Sequence, residues 1–577
     1  MTHQKVDPFT LEIVKDSLLS AGDEMFVALA RTSMSPIIYE VLDYASGLTD
    51  AEGNLLTQGN GVTGFIGMLT FMVKETLKKY PGDQLHEGDI IIINDPYQGG
   101  GSHLSDVGLV MPIFYEGKLV AFSANKAHWT EVGGKDPGSF TNDSISIFQE
   151  GLQFSCIKLY NKGIINDGIV EIIRSNVRFP ELSLGDMYAQ VAALKTGERR
   201  VKELCEKHSV DTILASITYH LDHGEAISRQ ELKKLPKGEF YAEDFIDTDG
   251  IGNGPFPIKV KVTITDEAFI CDFRGSSPQV PGPMNCSYTG LASAVRAIFL
   301  AITNPAQDVN DGVFRPLEII VDPKSIMSAE RPVPVSNYFE TLLGSLDLVW
   351  KALAPHLPER LNAGQFLSVC AVTLSGTHQD TDEPFLIVEP SVGGWGAGAN
   401  QDGASGQFCF ADGETYNVPV EVAETRYGVM LDEYALRTEG NGAGVGEFMG
   451  GKGVIRSYRA MTDQQAVTVT FGRNKFLPWG VDGGAQGSPN EFYVKKANGE
   501  VDGPYGVYPR YPLNKGDVVQ LMTGTGGGYG DPLNRPAQQV VQDVKDGYIT
   551  AAEAARYYQV NVDEQTFTYE ITGQRTE

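Results

Sequence analysis

Asp89-Ile-Ile-Ile-Ile-Asn-Asp-Pro-Tyr-Gln-Gly-Gly-Gly-Ser-His-Leu-Ser-Asp106 is the stretch on which the fold of this chain turns. Four consecutive isoleucines closed by Pro96 predict a short strand covered on both faces, because a continuous apolar run ended by a breaker suits full burial. Residues 99–102 then predict a mobile or tightly turning loop. Beyond it, residues 107–114 and 119–125 predict two strands paired around the turn at Glu116-Gly117. Upstream, residues 9–31 predict a helix, with Leu11, Val14, Leu18, Met25 and Leu29 near helical spacing and Thr10 as its cap. A hairpin turning at residues 50–54 and a second helix over 65–80 complete the N-terminal part.

Downstream, residues 165–235 read as helical, with Glu198, Arg199, Arg200, Lys202, Glu203, Glu206 and Lys207 forming a solvated face. Residues 260–273 alternate like a strand pair, and 285–303 and 338–357 read as helices. From about 383 the chain becomes rich in glycine, aromatics and short strands. The expected fold class is therefore mixed α/β (α+β). An N-terminal lobe spans 1–235, a strand- and Gly-rich C-terminal lobe 236–534, and a polar helical tail 535–577, whose best helix is 551–558.

With 577 residues, the mass is that of about three or four domains, which large enzymes often fuse into two lobes. A hydrophobic fraction of 42% and a charged fraction of 21% place the chain among globular proteins rather than disordered ones. Its net charge of −28 repels nucleic acid and anionic membranes, which excludes both as partners. The six cysteines, at 156, 205, 271, 286, 370 and 409, form no C-x-x-C and no disulfide framework, so buried thiols in a reducing compartment are expected. No signal-like apolar region opens the chain and no run of 18 apolar residues occurs in it; a cytoplasmic location is expected.

Histidine is scarce, at nine residues, so its placement is informative. His103 and Asp106 lie three apart and His128 follows later, each at the end of an apolar run beside a Gly-rich loop. Adjacent strands could bring the two segments together, and imidazole with carboxylate suits Zn, Mn or Fe(II). Spacing alone leaves the alternative open: a chance H-x-x-D, with His128 a hydrogen-bonded core residue. His220 and His223 read as surface residues, and Cys286 as a buried thiol. Thr523-Gly-Thr-Gly-Gly-Gly-Tyr-Gly-Asp-Pro532 could cradle an anion or could be a tight turn needing positive φ. It lacks the Lys-Ser/Thr of a P-loop. Residues 393–403 are a similar loop. No nucleophile elbow occurs.

Six segments, in order over about residues 7–535, resemble the hydantoinase B family, which includes N-methylhydantoinase B subunits, caprolactamase beta subunits and the C-terminal half of 5-oxoprolinases, with related acetone and acetophenone carboxylase subunits. They are Arg31-Thr-Ser-Met-Ser-Pro36 with Glu40-Val-Leu-Asp-Tyr-Ala-Ser46; Asn94 to Asp106; Ala127-His-Trp-Thr-Glu-Val-Gly-Gly-Lys-Asp-Pro-Gly-Ser139; Asn417-Val-Pro-Val-Glu-Val-Ala-Glu-Thr-Arg426; Pro478-Trp-Gly-Val-Asp-Gly-Gly484; and Gly526-Gly-Gly-Tyr-Gly-Asp-Pro532. The resemblance implies one divalent-metal site on Asp43, His103, Asp106 and His128, with Zn favoured and Mn or Fe also suited. Two departures stand out: Trp129 where many relatives carry a second histidine, and Leu42 where an arginine usually precedes the aspartate. Both are expected to alter the pocket wall.

The family further implies a partner, a hydantoinase A-like subunit that binds ATP and Mg and phosphorylates a poorly electrophilic cyclic amide, in an α2β2 heterotetramer. Metal-activated water on this subunit would then hydrolyse the activated lactam, hydantoin or oxoproline-type ring. Glu131 is the candidate general base or orienting group, and Lys126, Asn125 and Asn94 are candidate oxyanion or phosphate contacts. Two other functions stay open: a subunit of an ATP-dependent ketone carboxylase using bicarbonate, and a non-catalytic scaffold for the ATPase partner.

Overall fold

The computed structural model describes residues 6–100, 102–303, 309–413, 415–438, 441–573 and 575; Gly101 of the expected loop and the last residues of the expected tail fall outside this range. Helices and sheets are both abundant, as a mixed α/β chain requires. The chain divides into two compact units, each discontinuous in sequence. The first holds residues 1–241, 259–346 and 411–418; the second holds 242–258, 347–410 and 419–577. The chain thus leaves the first unit near the boundary expected at 236, then returns to it twice. Residues 535–577 belong to the second unit.

The first unit begins with α1 (Pro8–Thr32), capped by Asp7, whose side chain accepts from the backbone of Phe9 and Thr10. Thr10 is not the cap but sits within the first turn and donates its hydroxyl to Asp7, which gains from being both N-cap and anion at the positive helix end. The short α2 (Pro36–Tyr39), β1 (Tyr44–Asp50), β2 (Leu55–Gly61) and α3 (Thr63–Lys79) follow. Then come β3 (Ile90–Ile93), β4 (Asp106–Tyr115), β5 (Lys118–His128), β6 (Ile157–Asn161) and β7 (Ile164–Ile165). These strands make one seven-stranded antiparallel sheet in the order β2-β1-β5-β4-β3-β6-β7. The expected helical zone is three helices, α4 (Asp167–Asn176), α5 (Pro180–His208) and α6 (Val210–Leu232).

Period-2 alternation sorts β5 between two helices. Ser123, Asn125 and Trp129 reach α5, through the carbonyls of Leu194 and Gln190 and the Gln190 side chain. Phe122 and Ala124 pack instead with Leu69, Met72 and Val73 of α3, together with Ile91 and Ile93. All four isoleucines of β3 are at most 1% exposed, as the apolar run predicts, and each buried side chain stabilises by roughly 1.5–3 kcal/mol. Gly197 of α5 makes the other face possible: a methyl group there would lie 2.5 Å from the Met25 sulfur of α1 and 3.2 Å from Ser123 Cβ.

The β4–β5 hairpin turns through Glu116 and Gly117, at φ 48° and 76°, the positive pair that a two-residue type I′ turn needs. Next to the turn Tyr115 faces Lys118 and Phe114 faces Leu119. Beyond it Ile113 faces Ala121, so Val120 is an extra residue on β5. That bulge carries through to the far end, where Asp106 faces His128.

The second unit contains a four-stranded and a five-stranded antiparallel sheet. In this unit the Gly-rich segments lie side by side, joined by backbone hydrogen bonds. Gly526 N–H donates to Gly451 O at 3.0 Å, Gly527 to Gly364 at 2.8 Å, Gly528 to Ala485 at 2.9 Å, and Gly394 to Gly524 at 2.9 Å. Glycine is required here by close approach rather than by positive φ, which none of these residues adopts: a methyl group on Gly526 would lie 2.2 Å from the Trp395 carbonyl oxygen. Because these N–H groups are already paired, the segment does not offer the anion cradle considered above. Helices Ala537–Lys545 and Ala551–Tyr558 and the hairpin Val560–Val562/Tyr569–Ile571 end the chain; Val540, Ile549, Ala554 and Tyr558 join a core with Val445 and Met449. All six cysteines are free and buried. Among the described residues no helix is long and apolar enough to cross a membrane.

Gly526→Ala is expected to destabilise the second unit by at least about 2 kcal/mol, since overpacking commonly costs 1–3. An unconstrained glycine at negative φ would instead gain slightly from alanine. Denaturant unfolding of the variant against the parent protein reads the sign.

Candidate functional site

Three adjacent strand ends build the site on the α3 side of the sheet. Asp43 stands just before β1, and its carbonyl accepts from His128 N–H at 3.0 Å. The register Tyr44↔Ala127 extends to Asp43 opposite His128, and His128 in turn faces Asp106 on β4. Directly opposed residues share a face, so Asp43, His128 and Asp106 form a row. His103, from the loop entering β4, closes it: its Nε2 lies 3.1 Å from Asp106 Oδ1, and its ring centroid is 5.0 Å from that of His128. One donor atom each from His103, Asp106 and His128 falls within 4.8 Å of the others. Asp43 is only half-buried, but it feels the charge of both Asp106 and Asp412.

The donor atoms are oriented from behind. His103 Nδ1 is 2.8 Å from the Ser336 carbonyl oxygen, which can only accept, so Nδ1 carries a proton and Nε2 is the nitrogen turned to the cluster. Tyr338 donates to Asp106 Oδ2 at 3.3 Å, and Ser102 donates to the same oxygen, leaving Oδ1 without a hydrogen bond. Among the described residues neither ring nitrogen of His128, 3% exposed, has a hydrogen-bond partner. Buried polar atoms are nearly always satisfied, so Asp106 Oδ1 and the two His128 nitrogens, beside His103 Nε2, form a group of donors that could hold a divalent cation; Asp43 is not part of that close group. The sequence alternative, a hydrogen-bonded core histidine at 128, finds no partner for either ring nitrogen among the described residues.

Charges follow from burial and neighbours. Burial pushes His128 down to about 4, helped by His103, so it is a neutral donor at ordinary pH. Burial also opposes charge on His103 and Asp106, but their mutual attraction wins, holding His103 above its usual value and Asp106 well below. Burial, then Asp106 and Asp412, raise Asp43 well above the usual range. Burial pushes the Lys126 ammonium down to about 8, against the pull of Asp106.

The remaining expected residues separate cleanly. Glu131 is not brought into the cluster: its two carboxylate oxygens accept from the Arg178 backbone N–H and, at 2.8 Å, from its guanidinium, and its carbonyl accepts from Ser183. Glu131 therefore anchors the start of α5. Asn94 bonds Leu104 O, Leu152 O and Phe154 N, and Asn125 bonds Gln190; both are structural. Trp129 is fully buried, with its indole N–H 2.8 Å from Gln190 Oε1, so it lies on the α5 face rather than in the pocket wall. Leu42 adopts a left-handed φ of 63° immediately before Asp43, a strain of about 1–2 kcal/mol for such a side chain. His220 bonds the Leu11 carbonyl and lies outside the site.

Several contributors have no signal in local sequence: Ser336, Tyr338, Asp412 and Glu150. Glu150 accepts from Ser144 Oγ at 2.7 Å and from the backbone N–H groups of Val335 and Ser336 at 3.0–3.1 Å. It thereby fixes the peptide whose carbonyl holds His103.

Comparison with known proteins identifies the family of the chain. The chain matches the hydantoinase B/oxoprolinase family over residues 7–532, and it belongs to that family. Among the relatives is the caprolactamase subunit beta of Pseudomonas jessenii, 32% identical over 97% of each chain. The crystal structure of the ATP-dependent caprolactamase from the same organism superposes with a TM-score of 0.89 at 28% identity, covering 97% of this chain and 98% of that one. A nucleotide-free acetone carboxylase shares the fold, with a TM-score of 0.89 at 20% identity over 98% of this chain and 81% of that one.

Glu150 supplies a pH test. Burial pushes it up to about 7, despite its three donors. Between the unfolded carboxylate range and pH 7 the folded protein holds a proton that the unfolded chain has lost, so this group's contribution to stability falls as pH rises through that window. Glu150→Gln should remove that fall, and denaturation midpoints from pH 4.5 to 7.5 should decline less steeply in the variant than in the parent.

Proposed function

We propose that this chain is the beta subunit of an ATP-dependent cyclic amidase, opening a lactam, hydantoin or oxoproline-type ring. The observation that carries this is the pair of unpartnered, buried ring nitrogens of His128 beside Nε2 of His103 and Oδ1 of Asp106, in a chain alike over its whole length to a caprolactamase subunit. A hydantoinase A-like partner binds ATP and Mg and phosphorylates the substrate; the two chains form an α2β2 assembly. Six free thiols accord with a cytoplasmic setting.

Asp43, His103, Asp106 and His128 hold one divalent cation, Zn in the first instance, with Mn or Fe also suited to these donors. When bound, such an ion lowers the pKa of water and polarises a carbonyl or phosphoryl oxygen. The chain's own groups do the rest. Ser336 keeps the His103 proton on Nδ1, and Ser102 and Tyr338 hold Asp106 by one oxygen so that the other stays aimed at the cluster. The rings of Phe140 and Tyr338, with centroids 5.9 and 5.2 Å from His103, exclude bulk water from the imidazole. Asp43, the partly exposed member of the row, faces incoming substrate. A carboxylase subunit using bicarbonate and a scaffold without catalytic role are the competing functions, and the same experiment separates them.

Purified protein is expected to carry about one divalent metal per chain by elemental analysis. The isolated chain should hydrolyse neither ATP nor substrate. Mixed with its ATPase partner, it should give a product heavier by water; a gain of CO2 would establish the carboxylase instead. His103→Ala and Asp106→Ala should each lose the metal and at least about 100-fold in turnover while still assembling with the partner. Unchanged turnover in the assembled variants would leave only the scaffold.

A further inference from the structure

The loop that carries Glu150 reaches two of the candidate ligands through a second segment. Residues 141–150 and 332–338, both in the first unit, are laced together along their length. Thr141 N–H donates to Ser336 Oγ at 3.0 Å, Asn337 Nδ2 donates to Asn142 Oδ1 at 2.8 Å, and Ile147 N–H donates to the Pro332 carbonyl at 3.1 Å. Glu150, 1% exposed, gathers the most bonds: its carboxylate accepts from Ser144 Oγ and from the N–H groups of both Val335 and Ser336. The strap 332–338 then meets the site twice. The Ser336 carbonyl faces His103 Nδ1 at 2.8 Å, and the Tyr338 hydroxyl donates to Asp106 Oδ2 at 3.3 Å.

A buried carboxylate is costly unless several hydrogen bonds converge on it. Here two of them come from the strap's backbone. The amide bonded to Glu150 and the carbonyl facing His103 belong to the same residue, Ser336, so only its two backbone torsions separate the two bonds. Tyr338 lies two residues further on, and its hydroxyl shares the same anchor. Ordinary loop packing would leave the contacts to His103 and to Asp106 independent of each other. A common anchor couples them.

We infer that Glu150 is a positioning residue for His103 and Asp106 together: by holding the strap it keeps Nε2 of the one and Oδ1 of the other turned to the cluster, and so sets the affinity of the site for a divalent cation. The inference rests on the metal-holding role proposed above. It makes the two ligands a single unit governed from a loop that supplies no ligand itself.

The probe is Zn, titrated into metal-free protein in competition with a chromophoric chelator. Glu150→Ala should weaken binding about 10- to 100-fold, the range for removing a hydrogen-bond partner that supports a metal ligand. Glu150→Gln, which keeps an acceptor oxygen, should recover most of the affinity. Glu150→Asp keeps the charge but shortens the reach, and it carries the same prediction as Glu150→Ala where that variant does not fold. Tyr338→Phe should also weaken binding, and combined with either weakening substitution at Glu150 it should cost less than the product of the two single effects. A readout that needs no metal is the nitrogen–proton correlation spectrum of histidine-labelled protein: the His103 ring nitrogens should shift in Glu150→Ala or Glu150→Asp and stay parent-like in Glu150→Gln. Parent affinity in the weakening variants, no recovery in Glu150→Gln, fully multiplicative effects with Tyr338→Phe, or an unmoved His103 signal would each overturn the inference. A parent protein without Zn affinity would refute the proposed function, and the His103 spectrum would then decide the positioning role alone.

Discussion

The register of the β4–β5 hairpin governs everything that follows at the site. A type I′ turn dictates the pairing on its own side of the bulge, where Tyr115 meets Lys118. One extra residue at Val120 then slides the remainder by a single position. Without it, Asp106 would face Ala127, and His128 would turn to the α5 side among the groups that satisfy Gln190. Strand pairing has no intermediate setting, so the bulge selects between a sheet that gathers Asp43, His128 and Asp106 and one that scatters them.

On that frame the two faces of β5 divide the polar work. Toward α5, Ser123, Asn125 and Trp129 all find hydrogen-bond partners on the helix, so that face is closed and rigid. Toward α3, neither ring nitrogen of His128 has a hydrogen-bond partner among the described residues. Support for the open face arrives from far along the chain, in residues 335–338, which touch His103 by a carbonyl and Asp106 by a phenol and are themselves held by Glu150. Preorganisation of this kind keeps these side chains aimed at one centre.

Much of this was legible in the chain itself. The isoleucine run, the Glu116-Gly117 turn and the amphipathic helices announce themselves by periodicity, and His103, Asp106 and His128 by their position at strand ends. Asp43 required the family resemblance, because nothing local marks a lone aspartate as a neighbour of His128. Three things were not legible, each for a physical reason. A one-residue bulge has no composition of its own. Carbonyl and hydroxyl contacts such as Ser336 and Tyr338 depend on tertiary return of the chain, not on spacing. Glu131 sits beside a ligand in sequence yet points to Arg178, because the chain leaves the strand after His128 and its direction there is set by α5. The Gly-rich segments were legible as special, for a cause that differs by position: contact between backbones excludes side chains from Gly394, Gly451 and Gly526–Gly528, while Gly530 does adopt a positive φ of 73°.

That last feature gives the second unit an unusual thermal character. Where Gly394, Gly451 and Gly526–Gly528 lie against one another, what unfolding uncovers is mainly peptide groups rather than hydrocarbon. Hydration of peptide surface lowers the heat capacity of the unfolded chain, while hydration of apolar surface raises it. This region therefore adds little to the curvature of the stability profile, and its strength, drawn from paired amides, changes slowly with temperature in both directions.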